Sequence, residues 1–183
     1  MPKIEGLDPS RCYTSETIWQ LEELPKRLAV IGGGPIGLEL AQSFARLGSE
    51  VTVVEMMPRI MIKEDVEVSD LMAGVLTGEG VQLLVNHRLA SATSAESLTL
   101  RVAKVGDADQ FTAVECDVVL FAAGRKPRVE GFGLEALNIG LTENGQIQVN
   151  DYLQTNYPNI FAVGDVAGRY QFTHTASHMA WYA

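Results

Sequence analysis

Three glycines near residue 32 have a spacing that suits phosphate binding. Gly32, Gly34 and Gly37 follow the G-x-G-x-x-G pattern. The first glycine permits a tight turn, the second lets backbone approach a pyrophosphate, and the third lets the next helix pack closely. Pro35 and Ile36 would begin that helix, where the missing N–H of proline costs nothing and free backbone N–H groups attract phosphate. The pattern predicts a dinucleotide site, the alternative being a glycine turn that serves packing alone.

The elements on both sides of these glycines are those that such a site requires. The apolar run Leu28–Ile31 precedes them and predicts a strand buried on both faces. An apolar helix should follow and end at Gly48. A second strand, Val51–Val54, then closes with Glu55, whose carboxylate can accept hydrogen bonds from both hydroxyls of an adenine ribose. Because Glu55 would repel a ribose 2′-phosphate, NAD is favoured over NADP.

The loop after Glu55 leaves two interpretations open. The apolar side chains of residues 56–61 either cover an adenine ring or pack into the core. Arg59 in the same loop could meet a 2′-phosphate, which keeps NADP as the second choice.

Composition restricts the classes of function. The chain has 183 residues, of which 46% are hydrophobic and 20% charged, as in an ordinary globular domain. Its formal net charge of −9 argues against general binding to nucleic acids or anionic membranes. No apolar run approaches the roughly 18 residues of a membrane span, and the first ten residues lack the apolar core of a secretory signal. The cytoplasm is therefore the expected compartment.

Periodicity predicts an α/β fold in the first two thirds of the chain. Right-handed crossovers place successive strands in one parallel sheet, here with strands at residues 28–31, 51–54, 81–84 and 117–123 and a second helix at 66–79. An antiparallel meander is inserted before the last of these strands, with short strands at 90–95, 97–105 and 110–115.

The two ends of the chain carry weaker patterns. Residues 13–19 predict a short helix capped by Thr14 or Ser15. Towards the other end we expect a turn at Asn144-Gly145, strands at 146–149 and 160–163, and a helix from about Phe172 with Thr173 as its cap. The sequence stops within that helix, so we expect it to be a piece of a longer protein.

Four motifs, taken in order, resemble one family over nearly the whole chain. They are LAVIGGGPIGLELA, VTVVE, FAAGRKP and NIFAVGDVAG. With them the chain resembles the pyridine nucleotide–disulfide oxidoreductases, the FAD-dependent relatives of dihydrolipoamide dehydrogenase, glutathione reductase and mercuric reductase. Pro35 stands where some members have Tyr, and the tail reads FTHTASHMAWYA. Both features look most like the dihydrolipoamide dehydrogenase and mercuric reductase branch.

The resemblance implies a fold class and a domain organisation. The fold would be a three-layer, FAD/NAD(P)-binding α/β type, a Rossmann-like parallel sheet with the antiparallel meander inserted. Residues 1–26 would come in from an FAD domain, residues 27–146 would form the NAD-binding domain, and residues 147–183 would return to the FAD domain. Family members also carry a C-x-x-x-x-C redox disulfide and a His–Glu pair given across a dimer interface, and neither occurs in this sequence.

The same resemblance assigns roles to single residues. The three glycines with Pro35 and Ile36 would hold the NAD pyrophosphate, and Glu55 its adenine ribose. Glu39, in the first helical turn, would lie near the nicotinamide, and Gly124 and Arg125 would lie where backbone approaches NAD or flavin. Gly164 and Asp165 would contact the ribityl chain of FAD. Thr173 and His174 would place a helix N-terminus against the flavin ring. The alternatives are a carboxylate that merely suits a helix N-terminus for Glu39 and an ordinary turn for Asp165.

The remaining histidines and cysteines predict no further chemistry. His174 and His178 lie four apart, as metal ligands on a helix do, but no third ligand completes the pattern of zinc hydrolases. His87 is expected to be a surface histidine in a polar turn. Cys12 and Cys116 share no C-x-x-C spacing, so Cys12 is interpreted as an incidental cysteine rather than a reactive thiol.

The reaction that the resemblance implies is transfer of a hydride from NADH to flavin and onward to a disulfide or a thiol-bound metal, or the reverse. We expect the 183 residues alone to be inactive, small-molecule dinucleotides to be their ligands, and a full-length enzyme to be a homodimer. The alternatives are a FAD/NAD reductase of a ferredoxin or a quinone, and a stand-alone dinucleotide-binding module.

Overall fold

The computed structural model describes residues 3–95, 97–168 and 170–183. The chain divides into two compact units, residues 1–124 and residues 125–183, and each is described by itself. The domain limits expected at residues 26 and 146 come from the resemblance to the family, and they stay predictions.

The first unit contains two sheets. Its eight strands are β1 (Cys12–Thr14), β2 (Arg27–Ile31), β3 (Glu50–Glu55), β4 (Gln82–Val85), β5 (His87–Ser94), β6 (Leu98–Lys104), β7 (Asp107–Cys116) and β8 (Val118–Phe121). Five of them form a parallel sheet in the order β1-β8-β2-β3-β4. The other three form the antiparallel meander β5-β6-β7. The predicted α/β fold with an inserted meander is confirmed.

Two helices connect the strands of the parallel sheet. Helix α1 (Pro35–Leu47) joins β2 to β3, and helix α2 (Val66–Gly78) joins β3 to β4. Proline occupies the first helical position of α1, as predicted. The helix ends where Gly48 takes a left-handed conformation with φ of +110° and donates its N–H to the carbonyl oxygens of Phe44 and Ala45.

The parallel sheet is buried on both faces because its side chains alternate between two cores. Val30, Val53 and Leu120 point to one face, where α1, α2 and the fully buried Leu76 cover them. The opposite face packs against the meander, with buried side chains from both sheets at Ala29, Val54, Val119, Leu98, Leu100 and Val102. The first unit therefore has three layers, with helices, a parallel sheet and an antiparallel sheet.

The short helix predicted at residues 13–19 is wrong in its first half. Cys12–Thr14 form the edge strand β1, which pairs in parallel with Val119–Phe121. A 3-10 turn follows at Ile18–Gln20, with no side-chain cap, and Ile18 is buried in the core below the helices. The exposed edge of β8 offers hydrogen bonds that local propensity cannot reveal.

His87 is also displaced from its predicted turn. It is the first residue of β5, it is half-buried, and its Nδ1 lies 2.6 Å from the carbonyl oxygen of Val85. The strand begins earlier than its sequence pattern suggests because His87 pairs with Lys104 across the meander.

The second unit has little regular structure. The turn at Asn144-Gly145 is present, since the Gly145 N–H donates to the Thr142 carbonyl oxygen at 2.9 Å. The two strands predicted around it are not formed. Their residues make only the isolated bridges Leu141–Ile147 and Gln154–Phe161.

Among the described residues of the second unit, the helical elements are a 3-10 turn at Gly164–Ala167 and helix α3 (Thr173–Tyr182). Phe172, and not Thr173, is the N-cap residue of α3, and no side chain caps the helix. The predicted Thr173 cap is therefore wrong, because Thr173 is already the first helical residue. None of the helices among the described residues is both long enough and apolar enough to cross a membrane.

Candidate nucleotide-binding site

The turn after β2 is tightly constrained at its first glycine. The Gly32 N–H donates to the carbonyl oxygen of Val54 at 2.9 Å, which ties the turn to β3. Gly32 has φ of +119°, and a Cβ there would lie 2.8 Å from the carbonyl carbon and oxygen of Ala122. Only glycine satisfies both conditions, since a side chain would clash with backbone.

The third glycine of the motif brings α1 onto the turn. A Cβ at Gly37 would lie 2.2 Å from the carbonyl oxygen of Gly32. The helix N-terminus is thus held directly against the end of β2, as the motif requires.

Gly34 differs from the other two, because a Cβ there would meet no protein atom within 4 Å. Its backbone conformation, with φ of −81° and ψ of 174°, is one that any residue can adopt. Neither packing nor strain therefore explains a glycine here. The open space next to the N-terminus of α1 fits the close approach of a pyrophosphate.

Glu55 lies at the carboxyl end of β3, beside the glycine turn. Its Oε2 accepts a hydrogen bond from the Gly33 N–H at 2.5 Å, and its Oε1 accepts one from the Met57 N–H at 2.7 Å. Two backbone donors therefore fix the orientation of the half-buried carboxylate. A carboxylate has about four acceptor positions, so this arrangement leaves capacity for the hydroxyls of a ribose.

The loop after Glu55 packs into the core at one residue, and the covering of an adenine ring by the others stays a prediction. Ile60 is 1% exposed and packs into the core below the glycine turn, with its Cγ2 3.0 Å from where a Cβ of Gly33 would lie. Met56 and Met57 are 57% and 39% exposed. Core packing is thus the role of Ile60, whereas the two methionines remain at the surface.

Arg59 is occupied within its own loop. Its Nη1 donates to the carbonyl oxygen of Met61 at 3.1 Å, and its Nη2 donates to that of Ile62 at 3.0 Å. The Met61 N–H in turn donates to the Gly33 carbonyl oxygen at 2.8 Å. The loop and the glycine turn are therefore joined by hydrogen bonds.

Glu39 was predicted in the first turn of α1, but it lies beyond that turn. It is the fifth residue of the helix, and its side chain is exposed. The helix begins at Pro35 and the Leu38 N–H already donates to the Gly34 carbonyl oxygen, so Glu39 lies after the free N–H groups of the first turn. The proximity to a nicotinamide stays a prediction.

The predicted flavin-contacting residues belong to the second unit, apart from Gly124 at the end of the first. Arg125 and Asp165 form an ion pair in which Nη1 donates to Oδ2 at 2.6 Å, an interaction that the sequence did not indicate. Gly164 has φ of +74°, and a Cβ there would lie 3.0 Å from the Cβ of Ala176 on α3. The ring of the exposed His174 stacks on Phe172, with 5.4 Å between ring centroids. Their contacts with FAD stay predictions.

The two cysteines are unsuited to thiol chemistry. Burial raises the pKa of Cys116 to about 12, and this side chain is 1% exposed. Burial also raises the pKa of Cys12, whose Sγ donates to the Asp8 carbonyl oxygen at 3.2 Å. Both thiols are protonated at neutral pH and therefore weak nucleophiles.

Within the ranges that the structure describes, no cluster of three or more His, Cys, Asp or Glu could hold a metal ion.

The sequence did not indicate Gly33 and Ser69 as parts of the site, and it did not indicate the particular contacts of Ile60 and Met61 in the loop after Glu55. Gly33, Ile60, Met61 and Ser69 are linked to the turn or its loop, the last through a buried hydroxyl that donates to the Ile60 carbonyl oxygen at 2.8 Å. The second glycine in the run GGGP, Gly33, was the one available signal, because the motif does not require a glycine at that position.

The fold is the α/β type seen in flavoprotein oxidoreductases, and comparison with known proteins identifies one family. Residues 1–180 match the model of the pyridine nucleotide-disulphide oxidoreductase family. A dihydrolipoyl dehydrogenase of Bacillus subtilis is 36% identical over 181 residues, covering 97% of this chain and 37% of its own length. A mercuric reductase of Lysinibacillus sphaericus is 33% identical over 178 residues, covering 97% and 32%.

Two solved structures agree with these relatives. The Cu(II) complex of the HOCl-induced flavoprotein disulfide reductase RclA from Escherichia coli has a TM-score of 0.87 and 31% identity, covering 100% of this chain and 41% of that one. The water-forming NADH oxidase of Lactobacillus brevis bound to NADH has a TM-score of 0.83 and 28% identity, covering 100% and 42%.

The chain belongs to the pyridine nucleotide-disulphide oxidoreductase family. The resemblance read from its four motifs, including that to dihydrolipoamide dehydrogenase and mercuric reductase, is confirmed. Flavin and pyridine nucleotide are the cofactors that this family implies. The chain spans about a third of the length of the curated relatives that it matches.

Proposed function

We propose that this chain is the NAD(H)-binding part of a FAD-dependent oxidoreductase. In this proposal the glycine turn and the N-terminus of α1 hold the pyrophosphate, and Glu55 holds the adenine ribose. The bound nicotinamide supplies a hydride for flavin, which reduces a disulfide or a thiol-bound metal. The protein residues described here bind and orient the dinucleotide.

The observation that carries the proposal is the fixed carboxylate of Glu55. Backbone N–H groups of Gly33 and Met57 hold it at 2.5 and 2.7 Å, so it is already oriented before any ligand arrives. A fixed negative charge accepts hydrogen bonds from ribose hydroxyls and repels a 2′-phosphate. This preference supports NADH over NADPH. The NADH bound to the Lactobacillus brevis oxidase lends support from a related structure.

Fluorescence titration of the chain with NADH and NADPH tests the cofactor. We expect NADH to bind more tightly, and Glu55→Gln to weaken NADH binding by about tenfold, because a charge-assisted hydrogen bond is replaced by a neutral one. Glu50→Gln is the matched control, since Glu50 is exposed at the opposite end of the same strand. Tighter binding of NADPH by the unaltered chain would overturn the role of Glu55.

We further propose that the 183 residues alone do not reduce disulfides. Their two cysteines are the partly buried Cys12 and the buried Cys116, which lack the properties of a redox pair. An assay with NADH, FAD and a disulfide substrate should show no turnover above the rate without protein. Oxidation of NADH that depends on the disulfide would contradict this division of labour.

Compartment and assembly are part of the same proposal. We place the protein in the cytoplasm and expect a homodimer for the full-length enzyme. The net charge of −9 argues against nucleic acids and anionic membranes as partners.

A further inference from the structure

The loop of residues 56–62, which we call the post-strand loop, is anchored at more points than a surface loop requires. The Met57 N–H donates to Glu55, and the Met57 carbonyl oxygen accepts from the Asn86 N–H at 2.9 Å. Ile60 is buried under the glycine turn. The Met61 N–H donates to the Gly33 carbonyl oxygen. The loop is thus tied to the ends of β3 and β4 and to the turn after β2.

The post-strand loop also contains a residue in a strained backbone conformation, which neighbouring contacts have to stabilise. Met61 has φ of +48°, in the left-handed region that residues with a Cβ rarely adopt. The side chain of Arg59 donates to the carbonyl oxygen of Met61 and to that of the next residue, Ile62. A guanidinium can bridge two acceptors in this way because its N–H groups are fixed in a plane.

We propose that Arg59 is a positioning and specificity residue of the nucleotide site. It stabilises the strained bend of the post-strand loop, and through the Met61–Gly33 hydrogen bond it stabilises the glycine turn. The same hydrogen bonds keep its positive charge engaged on backbone carbonyls and so withhold it from a 2′-phosphate. Discrimination against NADPH then has two parts, the repulsion by Glu55 and the engagement of Arg59. This inference rests on the proposed binding of NAD(H).

Two substitutions separate these parts. Arg59→Met keeps the length of the side chain and removes every donor. Arg59→Lys keeps the charge, but a single ammonium group cannot bridge the two carbonyls with the planar geometry of arginine. The charge of lysine is therefore released near the nucleotide, whereas methionine brings none.

The experiment is titration of the whole chain with NADH and with NADPH. We expect both variants to bind NADH about five- to tenfold more weakly, because the loop and the turn lose their anchor. The ratio of the two dissociation constants should shift towards NADPH by about threefold or more in Arg59→Lys and not in Arg59→Met. A purely structural role of Arg59 would weaken both nucleotides equally in both variants.

A matched control is Arg46→Met. Arg46 lies in the last turn of α1, at the end away from the glycine turn, and its guanidinium pairs with Glu79 at 2.6 Å. This substitution should leave both dissociation constants unchanged. Circular dichroism checks that each variant is folded, and if Arg59→Met does not fold, the ratio measured for Arg59→Lys decides alone.

The outcomes separate the inference from the proposed function. If the unaltered chain does not bind NADH, the proposed function fails. If it binds NADH and Arg59→Lys shows the unaltered ratio, or Arg59→Met shows the unaltered affinity for NADH, the role of Arg59 is wrong.

Discussion

The two units of this chain are built with very different amounts of regular structure. The first unit has eight strands in two sheets and a core on each face of the parallel sheet. The described residues of the second unit form two isolated bridges, one 3-10 turn and one helix, and its small core contains Ile139, Ile147 and Ala162. Helix α3 in that unit has no buried residue.

The difference shows where the stability of the candidate site comes from. The residues that contact the glycine turn, among them Val54, Glu55 and Met61, lie in the first unit, and the strand before the turn, β2, is hydrogen-bonded to a neighbouring strand on each side. The predicted flavin-contacting residues of the second unit lie on turns and at the start of α3, and two of them, Arg125 and Asp165, form an ion pair. A site on a closely packed sheet is fixed before a ligand binds, whereas turns with few buried contacts open more easily.

Hydrogen exchange should show the largest difference between the units. We expect the amides of Val30, Val53 and Leu120 to exchange at least about 100-fold more slowly than those of Ile147 and Ala162, after correction for intrinsic rates. Strand amides in a buried sheet exchange only on global opening, whereas isolated bridges open locally. Equal protection in both units would contradict the comparison.

Core truncation sharpens the same comparison. Leu100→Ala, at a fully buried position between the two sheets, should lower the free energy of unfolding of the first unit by about 2–5 kcal/mol. Ile147→Ala, in the second unit, should leave the exchange of the Val53 amide unchanged. Urea titration followed by circular dichroism and by hydrogen exchange measures both. A smaller shift of the urea unfolding midpoint for Leu100→Ala than for Ile147→Ala would contradict this expectation.

Two glycines of the turn should separate packing from ligand binding. Gly37→Ala places a Cβ 2.2 Å from the Gly32 carbonyl oxygen, and we expect it to cost about 1–3 kcal/mol of stability and to abolish NADH binding. Gly34→Ala meets no protein atom, so its stability should change by no more than about 0.5 kcal/mol. Its affinity for NADH should nevertheless fall by about tenfold, because the added methyl group occupies the space of the pyrophosphate. Thermal unfolding and NADH titration give the two numbers, and unchanged affinity in Gly34→Ala would remove the ligand role of that glycine.

The smallest effect concerns acid stability. Burial raises the pKa of Asp117, but hydrogen bonds from the backbone and the guanidinium of Arg27 outweigh it, so the pKa lies below its usual value. The interaction therefore stabilises the folded first unit above about pH 4 and is lost as the pH falls through the lowered pKa. The pair is partly exposed to solvent, so its contribution should not exceed about 1 kcal/mol.

Asp117→Asn checks this expectation. Unfolding measured between pH 7 and pH 3 should depend less steeply on pH below pH 4 in Asp117→Asn than in the unaltered chain. Asp165→Asn in the second unit is the control, and it should leave the pH dependence of the first unit unchanged. An identical pH dependence in Asp117→Asn and the unaltered chain would show that the pair contributes nothing.

The sequence by itself determined the part of the molecule whose contacts are local. The run from β2 through α1 to β3 is encoded by apolar periodicity, by glycines at fixed spacing and by a proline at the helix start, all within 28 residues of one another. The meander was equally readable, because its strands are neighbours in sequence and its turns are short. Such elements form from interactions that a local pattern records.

Only the tertiary structure decided the rest, because it depends on partners that are distant in sequence. Cys12–Thr14 became a strand since β8, more than 100 residues later, offers its edge. The strands expected at residues 146–149 and 160–163 did not form, because neither has more than a single bridging partner. The hydrogen bonds that orient Glu55 and engage Arg59 run to backbone atoms whose positions follow from the packing of the turn and its loop. Residue types predicted that a dinucleotide site is present, and the fold determined which of their atoms are held in place and which face open space.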